Sequence, residues 1–456
     1  MMNKDLWTKI EQFDFDQPSS EYDFTLRLAH ENYWTQSFTK QAILEYKKFM
    51  YLAAVSDMMV SPSEIVDTVW HQHLIFTKSY SEFCQILGKQ IQHIPSTHNK
   101  EDFQKFKLAK ERTTKLYENF FGTQPENIWN HANPFESLNL KKSKFKLRTS
   151  LIIGIVSFII LSSPLYFLLK PLYLNIKNPD FILLFLGLII ASIVGLEWYN
   201  RRKFAQTIHL FDKDSFVFDL QPYELIYLNN KNISSVINGT VNELIDNGSI
   251  KINEDQTISN NKLTFIQSRE HQQVIDLLND LGKTSYPNFL IQLITKPVFS
   301  NIIKSMEAVK KYFNRSKAFS NLFVLNFVVF LSLIMFGFLR IVTGILRDKP
   351  ILLISFTVII LSFMMIGYLF RLTNLFSSKV LPDLYKTVIL PKKNTNNNWQ
   401  WSYFLMGTAV LTTSFVPLTN RSVSVNSDGG CGTSSSSSDS SCGGSSCTSC
   451  GGCGGD

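Results

Sequence analysis

Charged residues are missing from the most apolar parts of this 456-residue chain. Four runs, roughly 149–169, 181–199, 322–339 and 351–370, are nearly continuous in apolar residues, and the first and last carry no charge before their ends. Ion pathways and transporters bury charges or polar breaks at membrane depth, so this silence argues against transport. Residues 1–20 lack an apolar leader core and a small-residue cleavage site, and the N-terminus is therefore expected to stay inside. No Gly-x-Ser-x-Gly motif occurs, which leaves a hydrolase reading without its attacking group. Cysteine is scarce as well: Cys84 stands alone ahead of a tail holding Cys431, Cys442, Cys447, Cys450 and Cys453. The formal charge of +8 does not follow a nucleic-acid pattern, because residues 1–140 hold 14 Lys+Arg against 18 Asp+Glu. No nucleic-acid partner is expected.

The apolar runs each approach the ~20 residues that a helix needs to cross about 30 Å of hydrocarbon. The positive excess sits beside them, at Lys141, Lys142, Lys144, Lys146 and Arg148, at Arg201, Arg202 and Lys203, and at Lys310, Lys311, Arg315 and Lys317. Such clusters set topology and hold anionic headgroups. They predict a multi-pass protein of the bacterial inner (cytoplasmic) membrane, embedded in the lipid bilayer, with its N-terminus cytoplasmic. The expected fold is mainly α, a multi-span helical membrane protein with an N-terminal α-helical soluble domain and a small α+β winged-helix-like cytoplasmic domain. Its expected parts are a soluble domain over 1–140, a transmembrane hairpin over 141–200, the winged-helix-like domain over 201–320, and a second hairpin over 321–371. A cytoplasmic linker over 372–401 comes next, then a run over 402–418, introduced by Trp399, Trp401 and Tyr403, that reads as a fifth span or else lies at the interface, then a disordered tail over 428–456. Arg340, Arg347 and Lys349 fall in the expected external loop and blunt the charge asymmetry there. Glu197 and Arg340 lie near interfaces, where long side chains can snorkel to water.

In the first domain, Ala42, Ile43, Tyr46, Phe49, Met50 and Ala53 recur at helical spacing. Ser61-Pro62-Ser63-Glu64 reads as a capped helix start, with the helix running to Leu87 and stopped by Gly88. A further helix over 101–121 ends at Gly122. In the second soluble segment, two short helices over 221–228 and 233–246 precede a hairpin around Glu254-Asp255. That order is winged-helix-like, but 219–280 is acidic, which favours protein contact or packing over DNA.

The densest set of chemistry-bearing residues is Asp67-Thr68-Val69-Trp70-His71-Gln72-His73, followed by Tyr80, Cys84 and His93. Imidazole and thiolate are ligands for zinc or copper, so His71, His73, Cys84 and His93 are candidate metal residues. On a regular helix, however, His71 and His73 point about 160° apart. His73 and Cys84 lie about 16 Å apart along the axis. Neither pair can share an ion, so a site needs a residue from elsewhere, such as His93, His98 or His30. The alternative puts His73 and Cys84 in the core and pairs Asp67 with His71 one turn on. That pair also has the form of an orienter and a base.

This motif, Asp67-x-x-Trp70-His71-x-His73 with Tyr80 and Cys84, resembles the domain of glycine-rich-domain-like proteins. His93-Ile94-Pro95 and the stretch from Phe121-Gly122 to Ile128-Trp129 resemble its bacterial versions. Leu220-Gln221-Pro222-Tyr223-Glu224-Leu225, together with the tail, is similar to an uncharacterised bacterial membrane-protein family with Cys/Gly-rich ends. The resemblance implies architecture and no particular activity. This tail is richer in serine than that pattern. Cys447-x-x-Cys450-x-x-Cys453 has ligand-like spacing for zinc or copper, against which stand a flexible Gly/Ser chain and, outside the cell, disulfide formation. The residues together point to a membrane-anchored binding or assembly protein with a protein partner, with Asp67, Trp70, His71, His73, Tyr80, Cys84 and His93 as binding candidates. The competing class is a metal-binding protein or metal-dependent enzyme.

Overall fold

A computed structural model describes residues 2–94, 100–261, 266–392 and 398–420, and these are mainly helical. Helices α1 (Lys4–Gln12), α2 (Phe24–Asn32) and α3 (Gln36–Val55) open the chain, each started by a side-chain cap from Asn3, Asp23 and Thr35. Such caps satisfy backbone donors that have no intrahelical partner. The next helix begins slightly later than its sequence suggests. Ser63 caps α4 (Glu64–Ile75) by accepting from the Val66 amide at 3.2 Å. Ser61 instead has both its backbone groups held by the Thr113 hydroxyl, each at 2.9 Å. Nor does one helix run on to Leu87. The chain breaks at Phe76, whose ring packs against Phe24, and restarts as α5 (Thr77–Leu87). The break re-aims the helix so that Tyr80, Phe83, Cys84 and Leu87 all turn into the core. α6 (Lys100–Phe121) and the short α7 (Glu126–Trp129) close the first unit.

Four helices are long and apolar enough to cross a membrane: α8 (Leu147–Asn175), α9 (Asn178–Ile208), α15 (Lys317–Ile345), and α16 (Leu352–Leu375), which continues helically to Lys392. α15 is the central one and packs on the other three. Two glycines allow this approach. A Cβ on Gly154 would collide with the Phe327 ring, and one on Gly337 would meet Val358 and Phe185. Outward, Ile159, Phe167 and Leu168 of α8 are each about two-thirds exposed or more, an apolar surface of the kind that lipid covers. Asn200 and Asn326 exchange reciprocal amide bonds at 2.9 and 2.8 Å inside the bundle, a polar clasp between α9 and α15. Arg340 does not snorkel outward. Its guanidinium is buried and donates to the carbonyls of Tyr173 and Ile176 and to Asn178 Oδ1, capping the end of α8.

Between the helical hairpins lie α10 (Pro222–Asn230), α11 (Ile233–Asp246), β1 (Ile250–Ile252), β2 (Thr257–Asn260), α12 (Arg269–Leu281), β3 (Thr284–Ser285), α13 (Tyr286–Ile294) and α14 (Pro297–Asn314). The sheet is antiparallel in the order β1-β2-β3; β3, two residues long, has no legible sequence pattern. This unit packs directly on the first one. Arg269 pairs with Asp16 and Asp23, Lys296 with Glu21, and the Gln36 amide donates to Glu224 at 3.1 Å.

Residues 376–392 are not a loose linker. They extend α16 through two wide π-turns around α17 (Leu381–Leu384), and the Tyr385 hydroxyl donates to Val217 O and accepts from the Leu220 amide. Nor do residues 402–418 form a spanning helix. α18 (Trp399–Met406) stops at Gly407, whose φ of +62° suits glycine, and a 3-10 turn over Gly407–Val410 comes after it. The aromatic residues that resemble membrane anchors are packing groups: Tyr403 fits over Gly239 and donates to Ser235 O, and Phe415 meets Tyr286 edge-on at 4.9 Å. The Thr412 amide is held by Asn242 at 2.7 Å.

These contacts make two outcomes measurable. With the tail cysteines replaced by serine, Met406→Cys should react with an impermeant maleimide from the same membrane side as Lys78→Cys; protection of residue 406 would restore the fifth span. At the junction, burial pushes the Glu224 carboxyl up to about 7 from 4.5. The folded state therefore holds a proton there that the unfolded chain has released. Stability should fall as pH rises from about 4.5 to 7, by about 1.4 kcal/mol per unit at most. Glu224→Gln should flatten that slope in thermal unfolding of the detergent-solubilised protein, and an unchanged slope would remove Glu224 from the account.

Candidate functional site

Helix α4 places Asp67 and His71 one turn apart on its outer face, and their side chains meet, Asp67 Oδ2 to His71 Nε2 at 3.3 Å. The third member arrives from beyond α5. Gly88 ends α5 in the left-handed region, at φ +68°. Residues 89–94 then return along α4. Three contacts fix this return. The Lys89 ammonium donates to Ser56 O at 2.9 Å. The Tyr80 hydroxyl donates to Ile91 O and accepts from Trp70 Nε1 at 3.2 Å. The Trp70 ring meets the His93 imidazole edge-on at 4.7 Å. His93 Nε2 thereby reaches the other Asp67 oxygen, Oδ1, at 3.0 Å.

The ligand-capable atoms of Asp67, His71 and His93 all lie within 4.8 Å of one another. The two imidazoles are 4.4 Å apart between centroids. Ligands bound at about 2.0–2.1 Å in tetrahedral or octahedral geometry stand about 2.8–3.4 Å apart, and the two Asp67–histidine spacings, 3.3 and 3.0 Å, fall in that range. His93 is mostly buried, whereas His71 is 59% exposed and Asp67 37%. Exposed carboxylate–imidazole pairs contribute little stability, which makes fastening alone a weak reason for this convergence. Asp67, Trp70 and His93 line a cleft of about 450 Å³ whose other walls include Phe49, Met59 and Pro62.

His73 and Cys84 are elsewhere. His73 is fully buried behind α4, with Nδ1 on the Tyr46 hydroxyl at 2.9 Å and Nε2 on Ser79 Oγ at 3.2 Å. Burial among Phe15, Phe24 and Phe83 pushes its pKa down to about 3 and keeps the ring neutral. Cys84 is buried beside the Tyr80 hydroxyl. Neither contributes to the Asp67 cluster: His73, two residues from His71, faces the opposite side of α4, and Cys84 is on the buried face of α5. Of the expected residues, Asp67, His71 and His93 converge, Trp70 and Tyr80 position His93, and His73 and Cys84 belong to the core. His30 bonds Tyr22 and Ser300, apart from the site. His98 and Cys447, Cys450 and Cys453 lie outside the described residues.

Sequence reading misses Glu45. It is buried on α3, and it accepts from Tyr117, Trp129 and Lys48, each at 2.7 Å. Its only signal is its place on the apolar face between Ala42 and Phe49. Through Tyr117 and Trp129 it ties α6 and α7 to α3.

A family model described as UCP032817-like matches residues 8–117, a span that contains the whole constellation and stops short of the apolar helices. No curated protein and no solved structure matches the chain.

The Tyr80 clamp yields a measurement. Tyr80→Phe removes both the donor to Ile91 O and the acceptor for Trp70, and should cost about 1–3 kcal/mol. Amide exchange at residues 89–94 should accelerate more than exchange in α3. Uniform acceleration would mean that Tyr80 serves the core and not the placement of His93.

Proposed function

We propose that this chain is a membrane-anchored binding protein whose N-terminal domain presents a transition-metal site at the mouth of a cleft. The observation that carries this reading is the convergence of Asp67, His71 and His93, from two separate segments, on one point at the cleft rim. Two imidazoles and one carboxylate suit zinc and other divalent first-row ions. Copper(I) is less favoured, since the thiol of Cys84 lies in the core. Three protein ligands leave positions open, and Asp67 and His93 also line the cleft, which fits capture of a ligand through the ion. Metal-dependent catalysis is the subordinate form of this reading. Asp67, Trp70, His71 and Tyr80, four of the six residues of the glycine-rich-domain-like motif, build or brace the site, which fits that relationship for residues 1–140.

The other parts of the proposal rest on position and charge. Lys141 to Arg148 and Arg201 to Lys203 stand where the apolar helices enter the soluble body, which supports a multi-span protein of the bacterial cytoplasmic membrane with its N-terminus inside. The order helix, helix, hairpin, helix supports a winged-helix-like central unit. Its α10 and α11 are covered by α14, α18 and the α16 extension, which supports a joint between domains and protein contact over DNA binding.

The test is elemental analysis of the full-length protein in detergent, with the five tail cysteines replaced by serine. The expected result is about one zinc or other transition ion per chain, lost in Asp67→Ala and in His93→Ala, with a chelator lowering Tm only where the metal is present. Folded protein that neither carries metal nor takes up added zinc would overturn the metal site. Search for a protein partner of the cleft would then replace it.

A further inference from the structure

At the end of the helical bundle opposite the soluble body, the start of α9, the end of α15 and the connector 346–351 enclose a pocket of about 390 Å³. Its lining divides by chemistry. Phe181, Ile182, Leu352 and Leu353 give it an apolar wall, and Leu352 and Leu353 are themselves 85% and 59% exposed. Arg340, Arg347 and Lys349 supply three cations, and no carboxylate lines it. Asp180 and Asp348 are the acids nearest in sequence, and neither faces the pocket.

Arg340 is the informative residue. Its guanidinium is buried and lies 4.8 Å over the Phe181 ring. Every acceptor it meets is neutral: Tyr173 O, Ile176 O at 2.9 Å and Asn178 Oδ1 at 2.8 Å. These fix its position and leave its charge without a counter-ion. Among the described residues, Arg347 and Lys349 form no ion pair either. A buried cation is stabilised by an anion close by, and here two further cations point to the same space. An isolated lysine or arginine at a helix end snorkels into any headgroup layer. A locked arginine inside a walled pocket at the end of the apolar helices is a different arrangement. A free inorganic anion would use the cations and leave the apolar wall, which opens outward, without a partner.

We propose that this pocket binds the headgroup of an anionic phospholipid, with the phosphoester held by Arg340, Arg347 and Lys349 and the first part of an acyl chain lying on Phe181 and Leu352–Leu353. The volume is in the range of ligand pockets and accommodates a phosphoglycerol headgroup. Basic pockets between membrane helices recognise headgroups in this way. The site is independent of the Asp67 cluster and stands or falls without it.

The test uses full-length protein in detergent, with Tm read as phosphatidylglycerol, phosphatidylcholine or inorganic phosphate is added. Phosphatidylglycerol should raise Tm at about tenfold lower concentration than phosphatidylcholine, and phosphate should do little at any matching concentration. Arg347→Gln with Lys349→Gln, both exposed and so safe for folding, should erase most of that preference. Lys170→Gln, a cation at the same end of the bundle outside the pocket, should leave it nearly intact. Equal response to both lipids overturns the proposal, as does saturation by phosphate alone. So does an equal effect of Lys170→Gln, which would mean general surface attraction.

Discussion

A chain that enters hydrocarbon must pair its backbone polar groups within itself, and a helix that enters needs a second to return if the next segment is to stay in water on the same side. The four helices long and apolar enough to cross a membrane meet that constraint in two pairs. α8 with α9 and α15 with α16 are each joined by a short connector, so the segments before, between and after them are delivered to one end of the bundle. There they form one body. Ser143 N bonds Arg315 O, and Lys317 N bonds Lys141 O, strapping the entry of α8 to the entry of α15. Arg269 reaches back to Asp16 and Asp23, and Tyr385 reaches from the extension of α16 to Val217 and Leu220. None of these segments would meet if either hairpin failed to return.

Within the body, the candidate site illustrates how one helix supports two opposed uses of the same side chain. His71 and His73 are two residues apart and therefore face opposite ways. One imidazole is half in water beside a carboxylate; the other is sealed among phenylalanines and held neutral by desolvation. The sealed one is a structural hydrogen-bond node, because a ring with both nitrogens occupied by Tyr46 and Ser79 has none free for an ion. The open one stands beside a carboxylate and a second imidazole, and those two line the cleft. The two layers are joined by the Trp70–Tyr80 pair, whose polar atoms sit in the core yet determine where the 89–94 segment, and so His93, comes to rest.

Much of this was legible in local pattern. Helical spacing showed that His71 and His73 could not share an ion, placed Cys84 with the core, and paired Asp67 with His71. The four apolar helices were legible from length and composition. The third site residue was named among several, but its selection was not legible, because a contact between Asp67 and His93 depends on the Phe76 break, the Gly88 turn and a hydroxyl-to-carbonyl bond, none of which has a periodic signature. Residues 402–418 misled for a physical reason. Tryptophan and tyrosine beside an apolar run serve equally well at a lipid headgroup layer and against another helix, since both environments reward a large ring with one polar edge. Gly239, a site only a glycine could leave open for Tyr403, was the distinguishing feature, and it lies more than 160 residues away in sequence.

Arg340 bears on orientation as well as on lipid. Counting positive residues near helix ends assumes that each charge is free to meet headgroups or the insertion machinery. Arg340 is fixed in place by the carbonyls that end α8, so its charge can meet a headgroup only within the pocket it lines. The remaining cations of that connector, Arg347 and Lys349, flank Asp348, and Asp180 stands in the neighbouring turn. The opposite ends of the bundle carry Arg201, Arg202, Lys203, Lys310, Lys311, Arg315 and Lys317. The cluster of cations at those ends is the pattern on which the proposed orientation rests. The residue that reads as a topology letter in the sequence is, in the structure, a hydrogen-bond donor with a fixed address.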